Sequence, residues 1–198
     1  MSKYHGETAA VFYESRIEKV FASLLNKPQI RIVSFDIFDT LLLRSGMGVE
    51  DVFLEVGRNP EVQNHFFHPS SFLHYRVNAE RKARLKSDLE EVTLEMIYQE
   101  MPVPHDVREK ILQLELENHA KSVFENKQIS RWINQASSEG KIVVLTSDVY
   151  LSNQDVIHLV KDETTIFSEL EDIFVSSEYL RTKATGNLFT EIKNRFNV

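Results

Sequence analysis

The sequence contains no cysteine, and none of its apolar runs reaches the length that a membrane span needs. The first absence excludes disulfide bonds and thiolate metal sites, and it indicates a reducing compartment. The second argues against a transmembrane helix, which requires ~18 or more consecutive apolar residues. The first ten residues also lack the apolar core of a signal peptide. We therefore expect a cytoplasmic protein with no membrane partner.

Positive charge is also scarce, since the net charge is −7. Nucleic-acid binding normally requires a basic face, so we predict no nucleic-acid partner. A small anionic substrate stays open, because its binding depends on local rather than total charge. The chain of 198 residues, with a hydrophobic fraction of 42%, fits one α/β domain that carries an inserted module.

Three short apolar runs, residues 31–36, 141–146 and 172–176, predict the strands of a sheet. They are rich in β-branched and aromatic residues and lack polar alternation, which is typical of parallel strands buried on both faces. Helical patterns lie between and after the later runs, with Gly140 at the predicted end of one helix and Ser152 or Asn153 as the cap of another. We predict a three-layer, Rossmann-like α/β fold built from right-handed βαβ units.

Residues 37–140 separate the first predicted strand from the second, which is far more than one crossover helix requires. Most of this stretch has helical periodicity, and Thr93 is suited to cap one of its helices. We predict an all-helical cap over 46–125, hinged near Gly46 and Gly48, inserted into a core formed by 1–45 and 126–198. A further helix over about 10–25 is expected to pack on the core.

A basic run in the predicted cap could face the mouth of an active site and attract an anion, but the preferred interpretation is a solvated helix face balanced by nearby acids. The run comprises Arg76, Arg81, Lys82, Arg84 and Lys86, and the acids are Glu80, Asp88, Glu90 and Glu91. Four histidines, His65, His68, His74 and His105, do not share one helical face, so we predict no histidine metal site.

The candidate chemistry lies at the end of the first predicted strand, in the run from Val33 to Arg44. Asp36 ends the strand, and open α/β sheets bind ligands beyond the carboxyl ends of their strands. A carboxylate in that place can attack phosphorus or carbon if its charge is directed and water is restrained. Thr40, in the following turn, can donate a hydrogen bond to it.

This run resembles the first motif of the haloacid-dehalogenase superfamily, which implies that Asp36 is a nucleophile. Residues 145–151 resemble the second motif, which implies that the hydroxyl of Ser147, or of Thr146 as its near rival, holds a phosphoryl oxygen. Residues 176–189 resemble the third motif, in which Lys183 would neutralise the nucleophile and the incoming anion.

The resemblance covers roughly residues 30–198 and implies further features. The inserted helices would form a lid of the C1 type that closes over the site. Mg²⁺ would be bound by Asp36 and by the backbone carbonyl of Phe38, and Arg44 would contact the substrate or the cap hinge. The nearest members are bacterial domains attached to enzymes of surface polysaccharide assembly.

Two departures from the family pattern lower the expected activity. Phe38 stands where the phosphatases have a general acid, whose loss typically costs ~10²–10⁴ in rate; Asp39 is expected to emerge on a different side of the loop. No acidic fourth motif follows the last predicted helix. We therefore expect weak Mg²⁺ binding. The chain is expected to be a fragment of a longer protein, or else a degenerate protein. The first strand would then lie at an open edge of the sheet, which suits self-association.

These observations predict a hydrolase domain that acts on a small organic phosphate through an aspartyl intermediate, with little turnover as this chain. One alternative is a non-catalytic module that supports a fused enzyme of the glycosyltransferase type. The other is hydrolysis of the haloacid-dehalogenase type, which needs no metal.

Overall fold

The computed structural model describes residues 16–45 and 48–198, which contain five strands. In chain order these are β1 (Ile32–Asp36), β2 (Leu42–Arg44), β3 (Val123–Glu125), β4 (Ile142–Ser147) and β5 (Asp172–Val175). β1, β4 and β5 form a parallel sheet in the order β1-β4-β5, and β2 pairs with β3 in antiparallel fashion. The predicted α/β fold with a parallel sheet and a helical cap is confirmed.

The helices begin with α1, described over residues 16–25. They continue with α2 (Val49–Arg58), α3 (Pro60–Phe66), α4 (Pro69–Lys86), α5 (Leu94–Gln99), α6 (His105–Ser122), α7 (Lys127–Ser138), α8 (Asn153–Glu163), α9 (Ser176–Tyr179) and α10 (Asn187–Phe196). None of the helices in these ranges is long and apolar enough to cross a membrane. The predicted start of α1 and the hinge at Gly46 lie outside the described residues.

Local signals in the sequence explain several helix ends. Gly140, just beyond α7, has a φ of 70°, which a residue without Cβ adopts at little cost. Ser152, rather than Asn153, caps α8, because its side chain accepts a hydrogen bond from the Asp155 amide at 3.1 Å. Thr93 caps α5 as predicted, accepting from the Met96 amide.

Alternate residues of the strands face opposite sides of the sheet. Each side packs against its own helices, so the sheet is the middle of three layers. Val143, Leu145, Ile173 and Val175 belong to the hydrophobic cluster that includes residues of α7 and α8. Val144 and Phe174 belong instead to a second cluster with Leu188 and Ile192 of α10.

The register of the sheet brings the carboxyl ends of its strands to one edge. Asp36 pairs with Thr146 across β1 and β4, and Ser147 pairs with Val175 across β4 and β5. Among the described residues no strand pairs with the outer side of β1, so β1 is an edge strand. Association of two molecules through this edge stays a prediction.

Helices α2 to α6 form the cap, and they lie between β2 and β3 in the chain. These two strands were not predicted from the sequence, because a strand of three residues is too short to show a hydrophobic period. The hydrophobic cluster on one side of the sheet extends into the cap, where Phe53, Val56, Phe72, Ile97 and Ile111 contribute to it. Helices α2 and α4 approach closely at Gly57, where a Cβ atom would lie 2.7 Å from Pro69 Cα.

The interpretation of the basic run as a solvated face is wrong for Arg76. This side chain is fully buried, and its Nε and Nη2 donate to the two oxygens of Glu115 on α6, each at 2.8 Å. Its guanidinium also packs over the rings of Phe53 and Tyr150, at 4.5 and 4.8 Å from their centroids. Glu91, another presumed surface charge, is buried as well.

Burial by itself would raise the pKa of Glu115, but the charge of Arg76 and its hydrogen bonds outweigh burial and lower that pKa to about 2. Both members of the pair therefore stay charged at neutral pH. They satisfy each other in a region where an unpaired charge would be costly.

We expect Arg76→Met to lower the free energy of unfolding by about 3–5 kcal/mol, because Glu115 would be left buried without its partner. Chemical denaturation at neutral pH measures this loss. Arg81→Met, the same change at an exposed position of α4, is the matched control and should cost less than ~0.5 kcal/mol.

The contribution of the pair should also depend on pH. The pKa of Glu115 is lowered in the folded state from its ordinary value of 4.5 to about 2, so the stabilisation is complete above the ordinary value. It is lost as the pH falls through the lowered value. A difference between wild type and Arg76→Met that stays constant down to strongly acidic pH would contradict this account.

Candidate active site

The site is centred on Asp36, whose carboxylate accepts hydrogen bonds on both oxygens. Lys183 Nζ lies 2.5 Å from Oδ1, and Thr40 Oγ1 donates to Oδ2 at 3.2 Å. The side chain of Asp36 is 40% exposed and that of Lys183 is 24% exposed. The carboxylate is therefore oriented and still accessible, which is what attack on a substrate requires.

Lys183 is positioned by the turn between α9 and α10, which both the core and the cap hold in place. Its backbone amide donates to Asp148 Oδ1 at 2.8 Å, just beyond β4. The turn closes at Gly186, whose φ is 82° and whose amide donates to the Lys183 carbonyl at 3.0 Å. Placement of the ammonium therefore depends on Asp148 as well as on the chain fold.

Glu90, in the cap segment between α4 and α5, fastens the same turn from the other side. Its carboxylate accepts from Thr185 Oγ1 at 2.6 Å, from the Thr182 amide at 2.9 Å and from Asn187 Nδ2. The hydrogen bonds from Thr185, Thr182 and Asn187 lower the pKa of Glu90. Glu90 is therefore charged at neutral pH, and the cap touches the turn that carries Lys183.

The two candidate hydroxyls at the end of β4 differ in where they face. Ser147 lines the cavity next to Asp36. Thr146 is 2% exposed, and its hydroxyl lies 2.8 Å from that of Ser34 within the sheet. The geometry therefore brings Ser147, and not Thr146, together with Asp36, Thr40 and Lys183.

A cavity of about 620 Å³ opens over Asp36 between the core and the cap. This volume is in the range of small-molecule sites. Its polar lining includes Asp36, Asp39, Arg44, Ser147, Asp148 and Lys183 from the core and Glu80, Arg84 and His119 from the cap. Both parts of the molecule therefore contribute to the site.

The ring of Phe38 packs against Arg44. The Arg44 guanidinium carbon lies 5.2 Å from the centroid of the Phe38 ring, a cation–π geometry. Arg44 Nε is also 3.6 Å from Asp39 Oδ1. Asp39 also lines the cavity, and its side chain is 75% exposed. That its side chain leaves a different side of the loop stays a prediction. Its φ of 59° turns the chain there.

Two polar residues near the site were not predicted from the sequence. His119 is 2% exposed and lines the cavity, while its Nε2 lies 3.3 Å from the Tyr150 hydroxyl. Ser176 joins the core to the cap, since its hydroxyl donates to Glu91 Oε2 and accepts from the Val149 amide, both at 2.8 Å. No periodic signal marks either residue, because their partners are distant in sequence.

The described residues contain no group of three or more His, Asp or Glu side chains that could bind a metal. At the site itself, Asp36 and Asp148 both line the cavity, and both accept from Lys183, through Nζ and through the backbone amide. The Phe38 carbonyl is the other Mg²⁺ ligand predicted beside Asp36, whereas Asp148 was not predicted.

The fold is similar to that of known hydrolases. A crystal structure described as a dehalogenase matches with a TM-score of 0.52 and 11% identity, covering 87% of this chain and 74% of the other. A predicted phosphoglycolate phosphatase from Haemophilus somnus matches with a TM-score of 0.52, 10% identity and the same coverage. The chain has a haloacid-dehalogenase-like fold.

A dehalogenase captured with an intermediate is also similar to this fold, with a TM-score of 0.51 and 12% identity, covering 85% of this chain and 72% of the other. No family model and no curated protein matches the sequence. At these identities the likeness establishes the haloacid-dehalogenase-like fold alone, so the chemistry must be argued from the side chains.

We expect Glu90→Gln to loosen the turn that carries Lys183, because the charged acceptor of three hydrogen bonds becomes a neutral amide. The Thr182 amide should then exchange its hydrogen about tenfold faster. The wild type should show the same loosening when the pH falls through the lowered pKa of Glu90. Glu95→Gln, at an exposed position of α5, is the control; equal exchange in both variants would disprove the anchoring role.

Proposed function

We propose that this chain is a hydrolase domain that acts on a small organic phosphate through a covalent aspartyl intermediate at Asp36. The observation that carries the proposal is the pair of Asp36 and Lys183, 2.5 Å apart at the bottom of a cavity of about 620 Å³. Ser147 and Arg44 line the same cavity and can donate hydrogen bonds to an anion.

In the first step an Asp36 oxygen forms a bond to phosphorus while the bond from phosphorus to the leaving oxygen breaks. Lys183 neutralises the carboxylate and the phosphoryl group, and Ser147 donates to a phosphoryl oxygen. Water then attacks the aspartyl phosphate, which releases phosphate and restores Asp36. The leaving oxygen must take a proton, and Phe38 cannot supply one. Breaking the bond from phosphorus to the leaving oxygen therefore limits the rate with poor leaving groups.

Mg²⁺, when bound, would neutralise phosphoryl charge. Asp36 and the Phe38 carbonyl would bind it, with Asp148 as the other carboxylate at this edge. This donor set suits only weak binding, because both carboxylates already accept hydrogen bonds from Lys183. A calorimetric titration that gave tight Mg²⁺ binding would contradict this part of the proposal.

Beryllofluoride with Mg²⁺ should form a phosphoaspartate mimic at Asp36, detected by fluorine NMR and by an increase in melting temperature. Asp36→Asn should abolish the signal, because an amide oxygen is too poor a ligand for beryllium. Asp39→Asn, which changes a second carboxylate in the same cavity, should retain it. No signal in the wild-type chain would count against the aspartyl mechanism.

Phe38→Asp should raise the rate of phosphate-ester hydrolysis, by up to ~10²-fold for alkyl leaving groups, because it places a proton donor two residues after Asp36. Phe38→Asn has the same shape and no exchangeable acid proton, and should give no gain. The measurement is phosphate release from an alkyl phosphate compared with an aryl phosphate. A gain of equal size with the aryl ester would argue against leaving-group protonation.

A second candidate is hydrolytic dehalogenation. Phe38 favours this function, because halide leaves without taking a proton and the reaction needs no acid at that position. Asp36 would then attack carbon, form an ester and expel halide, and water would cleave the ester. Halide release from a 2-haloacid in the presence of a chelator would select this function. If the full chain shows neither this release nor beryllofluoride trapping, the remaining candidate is the non-catalytic support module.

A further inference from the structure

A second cleft adjoins the cavity over Asp36 on the side of the cap. Its volume is about 510 Å³, and it lies between α2 and α4. The cavity and the cleft share four lining residues, Val49, Glu80, Arg84 and Tyr150, so the two spaces meet along these side chains. A ligand that is held at Asp36 and is longer than the first cavity therefore extends into this cleft.

The cleft between α2 and α4 is lined largely by apolar side chains. They are Val49, Phe53, Val77 and Leu85. Leu85 is 77% exposed and Val77 is 43% exposed, although both side chains belong to a helix with a buried face. Neighbouring apolar side chains that stay in contact with water at a cleft are typical of binding sites, because a ligand that covers them removes apolar surface from water.

Arg84, where the two spaces meet, is better suited to an aromatic ring than to an anion. Its Nε and Nη2 donate to Glu80 Oε1 at 3.1 and 3.0 Å, and its Nη1 donates to Glu91 Oε1 at 2.6 Å. Each nitrogen therefore has a carboxylate partner, and the charge is already neutralised. The side chain is nevertheless 42% exposed. A guanidinium whose edge is occupied can still stack on an aromatic ring through its face.

Phe38 favours the same class of ligand for a chemical reason. It lines the first cavity two residues after Asp36, and it cannot protonate a leaving oxygen. A phenolate spreads its negative charge into the ring, so it leaves without a proton more readily than an alkoxide does. The site is therefore better matched to esters of phenols than to esters of ordinary alcohols.

We propose that the substrate is a phosphate ester of a phenol whose aromatic ring lies over Arg84 and whose apolar substituent lies in the cleft between α2 and α4. This inference rests on the proposed function, which places the phosphoryl group at Asp36 and Lys183. As Asp36 forms its bond to phosphorus, the bond from phosphorus to the phenolic oxygen breaks and its electron pair stays on that oxygen. The phenolate takes a proton from water after it departs.

The test measures equilibrium binding by calorimetry in the presence of Mg²⁺, with phosphonates because their bond from phosphorus to carbon is not hydrolysed. Inorganic phosphate reports the phosphoryl end alone. Benzylphosphonate adds an aromatic ring, cyclohexylmethylphosphonate adds a saturated ring of the same size, and 4-butylbenzylphosphonate adds an apolar substituent. We expect the butyl group to tighten binding about tenfold, because the open cleft covers part of it. The aromatic ring should bind about threefold more tightly than the saturated ring.

Substitutions test the cleft and Arg84 separately. Val77→Gln combined with Leu85→Gln should abolish the gain from the butyl group, while phosphate and benzylphosphonate bind as they do to the wild type. Leu89→Gln is the matched control, because it changes an exposed leucine that lines neither space. Arg84→Lys keeps the charge and removes the planar face, so the aromatic and saturated rings should then bind equally.

The results separate this inference from the function on which it rests. Phosphate binding without a gain from the butyl group, or a gain that survives the double substitution, would overturn the cleft assignment and leave the proposed function standing. Equal binding of the two rings to the wild type would overturn the assignment of a phenol. Self-association of the wild type that the double variant loses would assign the cleft to a second copy of the chain instead. If none of the four probes binds, the inference and the phosphate-directed function both fail.

Discussion

The hydrogen-bonded register of β1, β4 and β5 is the constraint on which the rest of this molecule depends. Parallel pairing aligns Asp36 with Thr146 and Ser147 with Val175, so the chain leaves all three strands at one edge. The polar groups from the core then follow from this edge, and Glu80, Arg84 and His119 join them from the cap. A shift of one residue in β1 would turn Asp36 to the opposite face of the sheet and move it away from Lys183.

Much of this arrangement was predictable because its signals are local. The three strands are continuous apolar runs, the caps at Thr93 and Ser152 have the expected side chains, and Gly140 ends its helix with a positive φ. The cap was marked by the length of the insertion. Asp36 and Ser147 are the last residues of β1 and β4, so strand order alone predicts that they converge. Lys183 lies in the turn between α9 and α10, and its place at the site was predicted from the resemblance to the third motif.

The parts that escaped prediction all depend on pairing between distant residues. Arg76 on α4 and Glu115 on α6 look like ordinary surface charges in a helical pattern, and only their pairing in the folded cap buries them, so their burial has no local sign. The short strands β2 and β3 exist only as a pair. The left-handed backbone of Asp39, rare for a residue with a side chain, has no signal in the sequence either.

The attachment of the cap to the core also bears on how a substrate reaches Asp36. Beyond its two ends at β2 and β3, the cap is bonded at Glu90 to the turn bearing Lys183 and at Glu91 to Ser176. A swing of the helices away from the sheet must therefore break these bonds or drag the turn along. If the turn moved with the cap, Lys183 would leave Asp36; if the bonds broke, Asp148 would still hold the turn and its ammonium in place. The strength of the contacts at Glu90 and Glu91, compared with that at Asp148, therefore decides whether cap movement displaces Lys183.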